Sequence, residues 1–166
     1  MDKELNKVGV YAPDQGEILS VANGNYRIIV SVEHTGRKFS VIEMIVPPGG
    51  GPAHHSHPAI QETFYVVEGE LEFRTESERK VLGVGGFLNV PLNGGVHCFK
   101  NVSEQFAKVL CTVTPAGLEN VFREIGTPAK LGEVIPEPEL TPQRIELLKK
   151  IDRKYNLETF PPNYLD

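Results

Sequence analysis

The chain has 166 residues, 40% of them hydrophobic, with a formal net charge of −5 and two cysteines. That length fits one domain with enough apolar residues for a core, and the negative balance with no local Lys or Arg run excludes a nucleic-acid footprint. Cys98 and Cys111 are too few for a disulfide scaffold and are expected as reduced, buried thiols without a role.

The N-terminal "MDKELNKVGVYAPD" holds no apolar segment of the secretory kind, and nothing later approaches a membrane span, so a soluble, cytoplasmic protein without a membrane partner is expected. Residues 17 to about 114 read as short strands between turns. "YRIIVSV" puts Tyr26, Ile28, Val30 and Val32 on one face. "FSVIEMIV" is β-rich on both faces and stops at Pro47 and Pro48. "ETFYVVEG" follows, then "ELEFR", "GGFLNVP" and "VHCFKN", and "AKVLCTVTP" places Ala107, Val109, Cys111 and Val113 on one side. Gly, Pro, Asn and Ser mark nearly every break, which argues for an all-β sandwich or barrel.

The last third changes character. "TPAGLENVFREIG" predicts a helix capped by Thr114 with Pro115 in its first turn, ending at Gly126. "IPEPEL" is extended. "TPQRIELLKKIDRKYNL" repeats the start signal at Thr141 and Pro142 and aligns Ile145, Leu148, Ile151 and Tyr155 in one stripe. A helix that amphipathic needs a surface, on the barrel or on a second subunit. The expected organisation is a β domain over 1–115 and a helical C-terminal extension over 116–166 that is not an independent domain.

Three histidines crowd "GGGPAHHSHPAIQETFYVVEG". On a strand His55 and His57 point the same way, while His54 and Ser56 point to the other face. That parity leaves two candidate ligands and one bystander, with a surface or turn role for His54. Glu62 opens the next strand, and a further donor, His97, follows a second Gly/Pro-rich turn. Mixed imidazole and carboxylate ligation suits Fe, Mn, Ni, Cu, Co or Zn. The plain alternative is a set of His-rich turn residues, although all these candidates fall beside strand starts. Elsewhere the bland readings prevail. "GVGG" is a turn, since no βαβ unit surrounds it. His34 is a solvated turn residue, Cys98 faces away from His97, and "RTESERK" is a solvated hairpin. Phe64, Val66 and Phe99 share the parity of the candidate ligands and fit plain core better than a pocket lining.

The residues carry a resemblance to the cupin superfamily, small antiparallel β-barrels of the double-stranded β-helix or jelly-roll kind. Its first motif, G-x5-H-x-H-x4-E-x6-G, is met by Gly49, His55, His57, Glu62 and Gly69 at every spacing. Its second, G-x5-P-x-G-x2-H-x3-N, is met by Gly85, Pro91, His97 and Asn101, with one extra residue between Pro91 and His97. Asn93 stands at the motif glycine, whose turn role is expected to pass to Gly94 or Gly95. The resemblance covers roughly residues 17–114 and implies that His55, His57, Glu62 and His97 hold one divalent transition-metal ion per chain. "GEILSV", "FSVIEMIVPPGGGP" and "TPAGLENVFREIG" further resemble single-domain bacterial cupins of the quercetin dioxygenase-like neighbourhood.

Four protein ligands on a metal that accepts five or six leave room for substrate or O2. The leading expectation is a metal-dependent dioxygenase acting on a small enol, phenol or diketone, with Glu62 also accepting the substrate hydroxyl proton by resemblance to flavonol dioxygenases. A metal-dependent isomerase or lyase, or a non-catalytic small-molecule-binding barrel, are the alternatives. No separate nucleophile or triad is visible. Cupin barrels commonly pair through their sheets, so a homodimer is expected.

Overall fold

Two-residue periodicity broken by turns folds residues 17–114 into ten antiparallel strands. These are β1 (Glu17–Val21), β2 (Gly24–Val30), β3 (Ser40–Val46), β4 (His55–Ser56), β5 (Gln61–Glu68), β6 (Leu71–Thr75), β7 (Arg79–Leu82), β8 (Phe87–Val90), β9 (His97–Lys100) and β10 (Ala107–Thr114). A one-turn helix, α1 (Val32–Thr35), joins β2 to β3. Beyond the barrel strands come α2 (Leu118–Ile125), β11 (Thr127–Pro128), α3 (Pro142–Tyr155) and β12 (Glu158–Thr159). The computed structural model describes residues 7–166, so the sequence reading of the N-terminal segment falls partly on residues outside the description. None of the described helices is long and apolar enough to cross a membrane.

The strands form two sheets, a seven-stranded one in the order β11-β1-β2-β3-β10-β5-β8 and a five-stranded one in the order β12-β4-β9-β6-β7. β3 and β10 alternate strictly between buried and half-buried positions, so Ile42, Met44 and Val46 on one face Val109, Cys111 and Val113 across the inner surface. The opposite sheet adds Leu71, Phe73 and Phe99. Phe64, Phe73 and Phe99 stack with centroids 5.4–6.0 Å apart, a separation that favours edge-on contact. These phenylalanines, with Val66, are core. The fold is therefore an all-β jelly roll with short helices appended at its C-terminal side.

Two local departures from the sequence reading have clear causes. β2 stops at Val30 because the Ser31 N–H donates to His34 Nδ1 and the Val32 N–H donates to the Glu119 carboxylate, turning the chain out of the sheet. His34 stays exposed, as expected. The α2 start lies at Leu118 instead of Pro115. Thr114 is held in β10 opposite Gln61, and the chain turns into the helix only at Gly117, so Thr114 lies too far from the first helical N–H groups to cap them. The buried Glu119 carboxylate takes over, accepting from the Gly117 N–H at 2.9 Å as well as from Val32.

α3 begins where the sequence places it, with the Thr141 side chain accepting from the Arg144 N–H. Its apolar stripe is seated at the C-terminal end, where Ile151 joins the barrel core of its own chain, while Ile145 remains exposed. Arg144 donates to the Ile125 carbonyl, and Lys154 and Tyr155 both reach the Glu124 carboxylate, fastening α3 to α2.

Candidate metal centre

The loop before β4 is laid across β9 by backbone contacts that the motif residues make possible. Asn101, fully buried, donates from Nδ2 to the carbonyls of Val46 and Gln105, and its backbone exchanges bonds with Gly49 and Gly50. Gly51 has φ +140°, and a Cβ there would collide with the Phe99 carbonyl. This close crossing sets His55 directly opposite His97 in the β4–β9 pair. His57 lies just past β4 in a turn closed by the Ile60 N–H on the His57 carbonyl, and β5 then brings in Glu62.

The four side chains converge. One donor atom from each of His55, His57, Glu62 and His97 lies within 4.8 Å of all the others, and no other His, Cys, Asp or Glu cluster of this kind occurs among the described residues. Donors held about 2.1 Å from one ion span up to about 4.2 Å, so a small inward movement seats a divalent metal. Each imidazole is aimed by its own chain. Nδ1 of His55 meets the Ala53 carbonyl at 2.9 Å, Nδ1 of His57 the Ile60 carbonyl at 3.3 Å, and Nδ1 of His97 the Gly95 carbonyl at 3.0 Å. A carbonyl only accepts, so each Nδ1 carries a proton and each Nε2 is turned to the centre. The buried Nε2 of His97 has no hydrogen-bond partner, standing 3.5 Å from Glu62 Oε2. An orphaned buried nitrogen aimed at a shared point is the signature of a ligand position.

Charge is balanced accordingly. Burial, then the neighbouring His97, drive the His55 pKa down to about 4, so this ring is neutral and available as a donor. Burial opposes the His57 charge, but the 2.9 Å contact of its Nε2 with Glu62 Oε2 outweighs it and the pKa is raised. Burial likewise works against the Glu62 charge, and the His57 contact together with the nearby His97 ring overcomes it, leaving Glu62 ionised with a lowered pKa. His57 and Glu62 form a buried ion pair, and a cation held at the centre would take the place of the His57 proton.

The second motif works differently from its expected form. Asn93 itself adopts the left-handed conformation, φ +57°, so the turn role stays at the motif position and does not pass to Gly94 or Gly95. Asparagine tolerates that region better than other non-glycine residues. The Asn93 N–H also donates to the Pro58 carbonyl, tying together the two loops that carry the converging side chains, and the extra residue is absorbed without turning His97 away from the other three.

His54 is not a surface residue. It is buried under the C-terminal tail, with Nδ1 3.1 Å from the Pro161 carbonyl, while its own carbonyl accepts from the Phe160 N–H. The reason is that β12 pairs along the edge of β4, Thr159 opposite His55, which brings Phe160 and Pro161 against His54. The tail continues to Asp166, which binds Arg74 and Arg79, so "RTESERK" is more than a solvated hairpin. Cys98, beside Arg74, does point away from the centre, and burial raises its thiol pKa to about 11. Cys111 has an unforeseen partner: its sulfur stands 3.1 Å from Glu62 Oε1, and burial first, then the Glu62 charge, push the thiol pKa well up. Strand alternation placed Cys111 inside; only the β5–β10 register names its neighbour.

With this geometry in place, residues 42–113 match the Cupin domain family model. A quercetin 2,3-dioxygenase of Bacillus subtilis is 30% identical over 126 residues, 75% of this chain and 36% of that protein. The chain is a cupin. A second relative, the polyketide synthase CurC of Streptomyces cyaneus, is 31% identical over 51% of this cupin and 54% of its own length. The chain thus spans from about a third to about half of the curated relatives it matches. Among solved structures, a predicted oxalate decarboxylase from Thermotoga maritima superposes on the cupin with a TM-score of 0.60 at 18% identity, over 64% of this chain and 99% of that one. That likeness is one of fold.

Proposed function

We propose that this cupin is a metal-dependent oxidoreductase, a dioxygenase acting on a small enol, phenol or diketone. His55, His57, Glu62 and His97 hold one divalent transition-metal ion per chain, and Glu62 also takes part in catalysis. The observation that carries the reading is the common orientation of the three imidazoles, each Nδ1 spent on a backbone carbonyl, with one donor atom from each of the four residues converging within 4.8 Å. The likeness to a quercetin dioxygenase over three-quarters of the chain supplies the reaction class.

When bound, the ion supplies a Lewis acid that acidifies a coordinated hydroxyl and offers open positions for substrate and O2. The protein's part follows from its side chains. The backbone carbonyls hold the imidazoles in place, so little reorganisation accompanies the reaction. Glu62, kept ionised by its histidine neighbours, is a weak base and accepts only a proton that has already been made acidic. The aromatic core of Phe64, Phe73 and Phe99 fills the barrel interior and keeps water from that side.

On this reading the domain boundary falls after residue 115, and 116–166 are a dependent extension, a division supported by Ile151 in the barrel core. The cupin pairs with a second copy through the outer face of β5 and β8, where Tyr65 and Phe87 lie opposite each other and exposed.

His57→Ala is expected to remove most bound metal, read by elemental analysis of protein purified without added metal, while circular dichroism retains the β signal. Unchanged metal content overturns the ligand set. O2 consumption screened with catechols, flavonols and β-diketones tests the reaction, and turnover of such a substrate without O2 would instead make the protein an isomerase or lyase.

A further inference from the structure

We propose that Cys111 is a positioning residue for the metal centre: its thiol holds Glu62 Oε1 away from the ion so that the carboxylate ligates through Oε2 alone. The inference rests on Glu62 being a ligand, as proposed above. Glu62 divides its two oxygens between different neighbours. Oε2 faces His57 Nε2 at 2.9 Å and His97 Nε2 at 3.5 Å, whereas Oε1 meets Cys111 Sγ at 3.1 Å. Both residues are fully buried, and Cys111 is outside the group of four converging donors.

Their meeting is fixed by register. β10 sets Val113 opposite Glu62 and Cys111 opposite Phe64, so the thiol is the diagonal inner-face neighbour of the carboxylate. The other inward positions of β10 are Ala107, Val109 and Val113, so an apolar side chain is the ordinary occupant of this row. A sulfur 3.1 Å from a carboxylate oxygen is closer than an apolar contact, and because the carboxylate only accepts, S–H is the donor.

The chemical consequence concerns the number of open positions on the ion. A carboxylate can bind a metal through one oxygen or through both, and the two-oxygen mode consumes a position that substrate needs. Engaging Oε1 in a hydrogen bond disfavours that mode. A thiol is a weak donor, so it steers the carboxylate without removing the basicity that Glu62 needs to accept a substrate proton.

The test is titration of the metal-stripped, full-length protein with Co2+, following visible absorption, for the unaltered protein, Cys111→Ala, Cys111→Ser and His57→Ala. The unaltered protein is expected to give intense bands of a low-coordinate ion. Cys111→Ala should bind about tenfold more weakly, the scale of lost outer contacts at metal sites. Its bands should be weaker, as a second carboxylate oxygen raises the coordination number. Cys111→Ser, which restores an oxygen-directed donor, should recover both affinity and band intensity. Cys111→Ala with the affinity and spectrum of the unaltered protein overturns the proposal and leaves the metal site standing. So does a loss in Cys111→Ala that Cys111→Ser shares and that follows a fall in Tm, because that is a packing effect. If His57→Ala binds Co2+ as the unaltered protein does, the ligand set itself fails, and with it this inference.

Discussion

His57 touches an acceptor at each ring nitrogen, and this sets how the metal-free protein responds to pH. Its raised pKa contributes stability that is fully present below the unfolded value of 6.5 and is lost as pH rises through the folded value. Glu62, lowered from 4.5, contributes stability present above that value and lost as pH falls. His55, lowered to about 4, must be charged on unfolding but not on folding between there and 6.5, so it too favours the higher pH of that window. The Tm of the metal-stripped protein is therefore expected to peak near about pH 6.5 and to fall on both sides; a monotonic rise to pH 8 would contradict the His57–Glu62 pair. Asn93 gives a second prediction at this scale. With φ +57°, Asn93→Gly should keep stability within a few tenths of a kcal/mol, whereas Asn93→Ala should cost about 1 kcal/mol by urea unfolding. The convergence of His55, His57, Glu62 and His97 was legible residue by residue from motif spacing. The role of Cys111 was not, since a sequence gives the side of a strand but not the diagonal neighbour across it.

At the scale of elements, parity reached a right grouping for a partly different reason. β4 is only two residues long, and His57 lies beyond it, aimed by its carbonyl contact with Ile60 and not by the strand pleat. His54 was misread because parity describes one strand, and the strand that brings the tail against His54, β12, is a two-residue bridge without periodicity to announce it. α3 was legible at both ends from its Thr141–Pro142 start and its apolar stripe, whereas α2 was placed three residues early because Thr114 belongs to β10. β4 has one pair with β9 and two with β12. A chain ending at Asn156 is therefore expected to keep the barrel but to bind metal about tenfold more weakly. Amide exchange at His55 and Ser56 should rise towards that of an exposed loop; retained protection would show that β9 alone holds the strand.

For the whole molecule, the two-period text between Glu17 and Thr114 was enough to identify an all-β barrel, because alternation maps directly onto inside and outside. The bridges that close the sheets at β11 and β12 were hidden, since pairing between short distant segments leaves no local pattern. The exposed Tyr65 and Phe87 give assembly a direct test. Phe87→Glu is expected to convert a dimer to a monomer in sedimentation without altering metal content, and an unaltered sedimentation coefficient would move the contact elsewhere. The β12 strap has a last consequence, in the order of synthesis. All four donors leave the ribosome well before residues 157–166 do, yet His55 sits on a strand that this later segment completes. A barrel folding as it is made therefore presents a donor set whose outer edge is still unpaired. On the proposed reading, secure metal retention waits until residues 157–166 have followed the barrel out, so selection of the right ion falls to a stage after translation of the barrel.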